Sequence, residues 1–269
     1  MLIAAAVVPG PPAFVAELMG SAAHELDDLR HATDCVLSRT LSDLVAASSG
    51  ATRPGSAAPQ VVVVAAGQPR EFNAAGDVSF ASFGRDVVVP ALAEGTGGDR
   101  DLPTPLMVAR YLAGRDVAAH PEHAALWASA RWVTTSGAAA TALGEDLRAS
   151  AGLVALVLVA DGATCHGPKA PRAQDQRAEA YDDGVWAALA SGHLGRLAQI
   201  DAALGDELGA TGPQMWPVLL AAAGAAGSEG IGEVLWAGAP YGVGWAVAAW
   251  RRSAANGTTT GTDHGGTRG

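Results

Sequence analysis

The sequence predicts an α/β fold, a single three-layer domain in which helices flank a central mostly parallel or mixed sheet. Two runs, Val61-Val62-Val63-Val64 and Leu153-Val154-Ala155-Leu156-Val157-Leu158-Val159-Ala160, are apolar at every position, which marks strands covered on both faces. Segments of helical periodicity alternate with such runs, and that alternation is the signature of helices packed on a sheet. The chain has 269 residues, 49% hydrophobic and 16% charged, so it is long enough to bury a large core and too apolar for a disordered chain. No linker divides the apolar segments. Residues 1–252 therefore read as one domain, and 253–269, which hold no apolar side chain larger than alanine, as a disordered tail.

The elements follow in order. Met1-Leu2-Ile3-Ala4-Ala5-Ala6-Val7-Val8 reads as the first core strand, stopped by Pro9-Gly10-Pro11-Pro12; it lacks a basic leader and is too short for a membrane span or a typical signal peptide. Phe14, Leu18, Ala22 and Leu26 recur every four residues and predict a helix over 13–29, with a second over 33–47. Ser48 to Ser56 is a loop by composition, and Val61 to Val64 a strand closed by Gly67-Gln68-Pro69-Arg70. Between Glu71 and Pro103 loops surround short strands such as Asp86 to Val89. A helix over 106–112, an ambiguous stretch over 120–127, a strand over 132–135 and a helix over 138–150 lead to the strand ending at Ala160. Helices over 172–191, 193–204 and 216–226, then strands over 230–236 and 243–250, complete the pattern.

Acidic residues number 27 against 17 basic ones, for a formal charge of −10, which disfavours nucleic acid and anionic lipid surfaces as partners. The two cysteines, Cys35 and Cys165, form no CxxC spacing, and reduced thiols in the cytoplasm are the expectation. Phosphate-loop, HExxH and GxSxG motifs are absent, and the glycines at Gly95, Gly97 and Gly98 lack a strand-to-helix context. His120 and His123 stand three apart around Pro121, a spacing read as the start of a surface helix; with a third donor it would suit a metal. His24 and His31 sit on acidic, solvated helix faces.

The most informative segment is Asp161-Gly162-Ala163-Thr164-Cys165-His166, where a buried strand delivers polar side chains to its carboxyl edge. In open α/β sheets ligands and chemistry collect at that edge. Cys165 and His166 are adjacent and point opposite ways on an extended backbone, so they do not form a nucleophilic pair. His166 alone is a candidate acid/base, balanced by the plainer reading of a solvent-facing loop histidine.

Taken together, Val7-Val8-Pro9-Gly10-Pro11-Pro12, the segment Val157 to His166, Asp175 to Asp183, Gly209 to Leu219 and Ala239-Pro240-Tyr241-Gly242-Val243-Gly244-Trp245 resemble the superfamily of class III extradiol ring-cleavage dioxygenases. That superfamily includes the catalytic subunit of protocatechuate 4,5-dioxygenase and the Memo-like proteins. The order and spacing agree over about residues 1–250. The resemblance implies a ferrous ion held by a first-strand His-Pro-Pro, by a second histidine after the next strand and by a Glu or Cys farther on, with a histidine base nearby. Here the three positions carry Gly10, Gln68 and Thr211, none of them a ligand for ferrous iron, while His166 matches the base.

The resemblance thus implies a relative that lacks the iron site and needs no cofactor. It would bind a small molecule or a protein partner in a cleft around Gly10, Gln68, Asp161, Thr211 and Tyr241, with His166 as the acid/base. The alternatives are an active extradiol dioxygenase of a catechol-type substrate, using Fe(II) at an atypical site drawn from His120, His123, His166 or Glu229, or a metal-independent enzyme built on His166. Glu229 and Glu233 read first as surface charges. A homodimer fits the habit of the family.

Overall fold

Strand formation follows the apolar runs. In this computed structural model, which describes residues 1–50, 57–73, 75–92, 98, 99, 101–224 and 229–253, the strands are β1 (Leu2–Val8), β2 (Gln60–Ala66), β3 (Arg70–Phe72), β4 (Val78–Ser79), β5 (Val88–Val89), β6 (Arg131–Thr135), β7 (Val154–Val159), β8 (Gly230–Gly238) and β9 (Trp245–Arg252). Seven of them form one mixed sheet in the order β3-β6-β2-β7-β1-β9-β8, and β4 pairs with β5 in a separate ribbon. β6, β2, β7 and β1 run parallel at its centre, whereas β3, β9 and β8 are attached antiparallel to their neighbours.

Both faces of the central strands are covered, as the uniform hydrophobicity requires. Ala6, Val8, Val61, Val63, Val157 and Val159 point into one core; Val7, Val62, Val64, Leu156 and Leu158 point into the other. This is the period-2 alternation of a strand between two helical layers. The helices are α1 (Ala16–Met19), α2 (Asp27–Gly50), α3 (Thr104–Ala119), α4 (Ala124–Ala128), α5 (Gly137–Ala149), α6 (Arg177–Ala190), α7 (Ala202–Leu208) and α8 (Gly212–Ala223). Residues of α2, α3 and α4 fill the first core, and those of α5, α6 and α8 fill the second.

Several boundaries differ from the sequence expectation. The helix over 13–29 is instead a chain of short turns, because Gly20 takes φ +56° and ends α1 after one turn. The next helix begins at Asp27 and runs to Gly50, so Ser48 to Gly50 are helical. The expected helix over 193–204 divides at Asp201, whose carboxylate accepts the Leu204 N–H at 3.0 Å and opens α7. α6 starts at Arg177, and residues 172–176 are loop. His120 to Trp127 resolves into a 3-10 turn, Pro121–His123, followed by α4. Residues 254–269, 51–56, 95–97, 225 and 226 lie outside the described residues.

The connections place the site. β1 leads through α2, on one face, toward β2; β7 leads through α6, α7 and α8, on the other, toward β8. β1 and β7 are neighbours whose connections depart in opposite directions. Such a divergence opens a crevice beyond the carboxyl ends of the two strands.

Candidate functional site

Gly10 follows β1 and Asp161 follows β7, and they meet at that divergence: the Gly10 N–H donates to Asp161 Oδ1 at 3.1 Å. Thr211, just before α8, closes the third side. Its hydroxyl accepts the Asp161 N–H at 2.9 Å, and its own N–H donates to the Asp161 carbonyl at 2.9 Å. Burial pushes the Asp161 carboxyl up to about 6, against the opposing pull of the Gly10 N–H.

From Asp161 the chain crosses the sheet edge as a pinned loop. The Gly162 N–H donates to the Gly244 carbonyl at 2.6 Å, the Gly244 N–H to the Ala163 carbonyl at 2.8 Å, and the His166 N–H to the Gly242 carbonyl at 3.0 Å. On the other side Thr164 N–H donates to the Leu208 carbonyl at 2.9 Å. Backbone held on both sides fixes where His166 stands.

His166 Nε2 lies 2.6 Å from Asp182 Oδ2. Asp182 is fully buried on the inner face of α6, and both its oxygens also accept the Ala163 N–H, at 3.0 and 3.1 Å. Burial raises the Asp182 carboxyl above the usual carboxylate range, while the His166 bond and the Ala163 N–H pull it back. Glycines make the close approach feasible. A Cβ at Gly162 or Gly244 would run into the Asp182 carboxylate. The His166 side chain keeps 15% of its surface exposed, and its Nδ1 hydrogen bonds to no described residue. Where Asp182 is ionised it accepts the Nε2–H of the neutral ring, and Nδ1 is then the acceptor nitrogen.

The structure therefore brings Gly10, Asp161, Thr211 and His166 to one edge, but it separates Gln68 and Tyr241 from their polar cluster. Gln68 is exposed in the turn after β2, and its carbonyl accepts the Thr134 hydroxyl at 2.6 Å. The Tyr241 hydroxyl donates to Glu25 at 2.7 Å, and its ring packs edge-on against Trp245. The reserve residues do not converge either. His123 is not on the surface: it is buried, with Nδ1 2.9 Å from Asp116 Oδ2, which also accepts the Trp127 Nε1–H at 2.8 Å. Its ring lies 5.3 Å from that of His120, which stands half-exposed. Glu229 and Glu233 are exposed, Glu233 paired with Arg39 at 2.8 Å. Cys165 turns its thiol toward the Leu208 carbonyl.

The ligand set for ferrous iron does not fit these positions. Gly10 has no donor side chain, and a Cβ there would stand 2.8 Å from Val159 Cγ1 and 3.1 Å from Pro105 Cβ. Gln68 faces solvent, and the Thr211 hydroxyl is engaged with the Asp161 backbone. Among the described residues no group of three or more His, Cys, Asp or Glu is arranged to hold a metal ion. Likewise, no helix among them is long and apolar enough to cross a membrane.

Asp182 is the residue that sequence reasoning did not single out. Its signal was present: Ala178, Tyr181, Val185, Ala188 and Leu189 form the buried stripe of α6, and Asp182 is the one carboxylate on that stripe. A charge at an inward helical position is rarely tolerated without a partner. A scan of protein-family models and a search of curated proteins each found no match to this chain.

Proposed function

We propose that this chain is an iron-independent relative of the class III extradiol dioxygenases that binds a small acidic hydroxyl compound, a phenol or catechol, at the sheet edge. The His166–Asp182 pair takes up its proton. The observation that carries this reading is the 2.6 Å contact of His166 with a buried carboxylate, which leaves Nδ1 open. In the step, the ligand O–H bond breaks, its proton moves to Nδ1 and the phenolate remains beside an imidazolium whose charge Asp182 balances. No change of oxidation state is involved, and no metal enters the step.

The donor set argues for proton handling over oxygen activation. Two of the three positions that the resemblance equates with iron ligands, Gly10 and Thr211, contact Asp161, and they carry no side chain and an engaged hydroxyl. The test uses chelator-treated protein and 4-nitrocatechol, whose visible band reports its ionisation. Wild type is expected to bind it as the phenolate below the free compound's own transition, and His166→Ala to lose that band shift. Iron retained stoichiometrically through anaerobic purification, together with catechol-dependent oxygen uptake, would overturn the proposal.

A further inference from the structure

A relay of three side chains lies on the α2 and α3 side of the sheet and shares no residue with the His166–Asp182 pair. α3 ends at Ala119, and Pro121, which has no N–H to continue it, opens the 3-10 turn Pro121–His123. That turn lays His123 back on the end of α3, with Nδ1 2.9 Å from Asp116 Oδ2. Trp127 donates its indole N–H to the same oxygen at 2.8 Å. An indole N–H only donates, so Oδ2 is held as an acceptor. Where Asp116 is ionised, the neutral ring keeps its proton on Nδ1 and Nε2 is the acceptor nitrogen. His123 Nε2 meets Ser42 Oγ of α2 at 3.4 Å.

The hydroxyl of Ser42 is used differently from others on its helix. Thr33 donates to the Leu29 carbonyl at 2.8 Å, and Ser48 and Ser49 to the Val45 carbonyl at 2.7 and 3.0 Å. A bond to the preceding turn is the ordinary use of a helical hydroxyl. Ser42 turns to the imidazole instead. Burial is graded along the relay: the Asp116 and His123 side chains are 2% and 1% exposed, whereas Ser42 is exposed. A sealed carboxylate and imidazole ending in an accessible hydroxyl is the order that a nucleophilic serine needs. The 3.4 Å contact is long, as nucleophile–base contacts often are before substrate arrives.

We propose that Ser42 is a base-activated nucleophile that takes an acyl group from an activated carboxylic ester, with His123 as the base and Asp116 as its positioning residue. Oγ bonds to the ester carbonyl carbon while its proton moves to Nε2. As the ester C–O bond breaks, that proton passes to the departing oxygen and leaves acyl-Ser42. No oxidation state changes. Ser42 lies inside α2, whose N–H groups are taken up by the helix, so none of them is free to stabilise an oxyanion. The ester must therefore bring a good leaving group. Val45 and Ala46, exposed three and four residues on, share the Ser42 side of the helix and give the acyl chain an apolar rest.

The test incubates the full chain with 4-nitrophenyl acetate and maps acetyl groups by peptide mass spectrometry, because a free imidazole also releases nitrophenol from this ester. Ser42 is expected to be acetylated about a hundredfold faster than Ser49, the assistance a general base gives. Both serines are exposed on one helix, so this comparison needs no variant. His166→Ala should keep the Ser42 label, which separates this site from the sheet-edge pair. His123→Gln, checked for folding by near-ultraviolet circular dichroism, should bring Ser42 down to the rate of Ser49. If that variant does not fold, the wild-type ratio decides. Acetyl groups confined to amines such as Lys169, or Ser42 labelled no faster than Ser49, would overturn the proposal. A folded His123→Gln protein that labels Ser42 at the wild-type rate, or loss of the label in His166→Ala, would overturn it as well.

Discussion

Asp182 Oδ2 lies 2.6 Å from His166 Nε2, and both oxygens of the same buried carboxylate receive the Ala163 N–H. One side chain thus anchors both the candidate base and the loop that carries it. Asp182→Ala leaves the Ala163 N–H buried and unpaired and frees the imidazole, and a loss of about 3–5 kcal/mol is expected. Asp182→Asn retains an acceptor for Ala163 and should lose less. Urea unfolding midpoints of the two variants check the order.

Asp161 makes stability depend on pH. Its folded value of about 6 stands above the ordinary 3.8, so folding favours the neutral carboxyl. That contribution is complete below the unfolded value and is lost as pH rises through about 6. Asp161→Asn, which keeps an oxygen for the Gly10 N–H, should be more stable than wild type at neutral pH. The gap should close toward the unfolded value, and a gap independent of pH would contradict the assignment.

Gly10 sits where a side chain has no room. A Cβ at this position would stand 2.8 Å from Val159 Cγ1, so Gly10→His must push β7 or α3 aside. A destabilisation of about 1–3 kcal/mol is expected from such overpacking. The variant should also fail to retain ferrous iron, because Gln68 and Thr211 are unchanged. Thermal melting and metal content of the purified variant report the two outcomes.

Arg30 holds the segment that sequence periodicity mistook for a helix. Its guanidinium is buried and donates to the carbonyls of Phe14 at 3.0 Å, Ala23 at 2.5 Å and Ala13 at 3.2 Å. These carbonyls cannot all belong to one continuous helix, and Arg30 supplies the partners that helical bonding would have given. Arg30→Met should cost about 2–4 kcal/mol and make residues 13–26 the first site of limited proteolysis.

β1, β2 and β7 were legible because covered strands are apolar at every position, a signal that needs no tertiary information. The Phe14, Leu18, Ala22, Leu26 spacing misled, because Gly20 at φ +56° ends the first helix after one turn and Arg30 takes up carbonyls on both sides of it. At the site, Asp161 and His166 were visible as polar residues ending an apolar strand. The bond from His166 to Asp182 spans 16 residues and joins a loop to a helix, so only the fold pairs them. His123 was misread for the same reason: its partner Asp116 lies at the end of the preceding helix, and the pair is hidden by packing rather than by composition.

The chemistry of the site turns on where the proton of His166 resides. Nitrogen-15 correlation spectra of the His166 imidazole, assigned with His166→Gln, measure it directly in chelator-treated protein before and after 4-nitrocatechol is added. A proton on Nε2 and a bare Nδ1 are expected in the free protein, and protons on both nitrogens in the complex. An imidazole whose protonation is unchanged by the bound ligand, or a free protein with its proton on Nδ1, would contradict it.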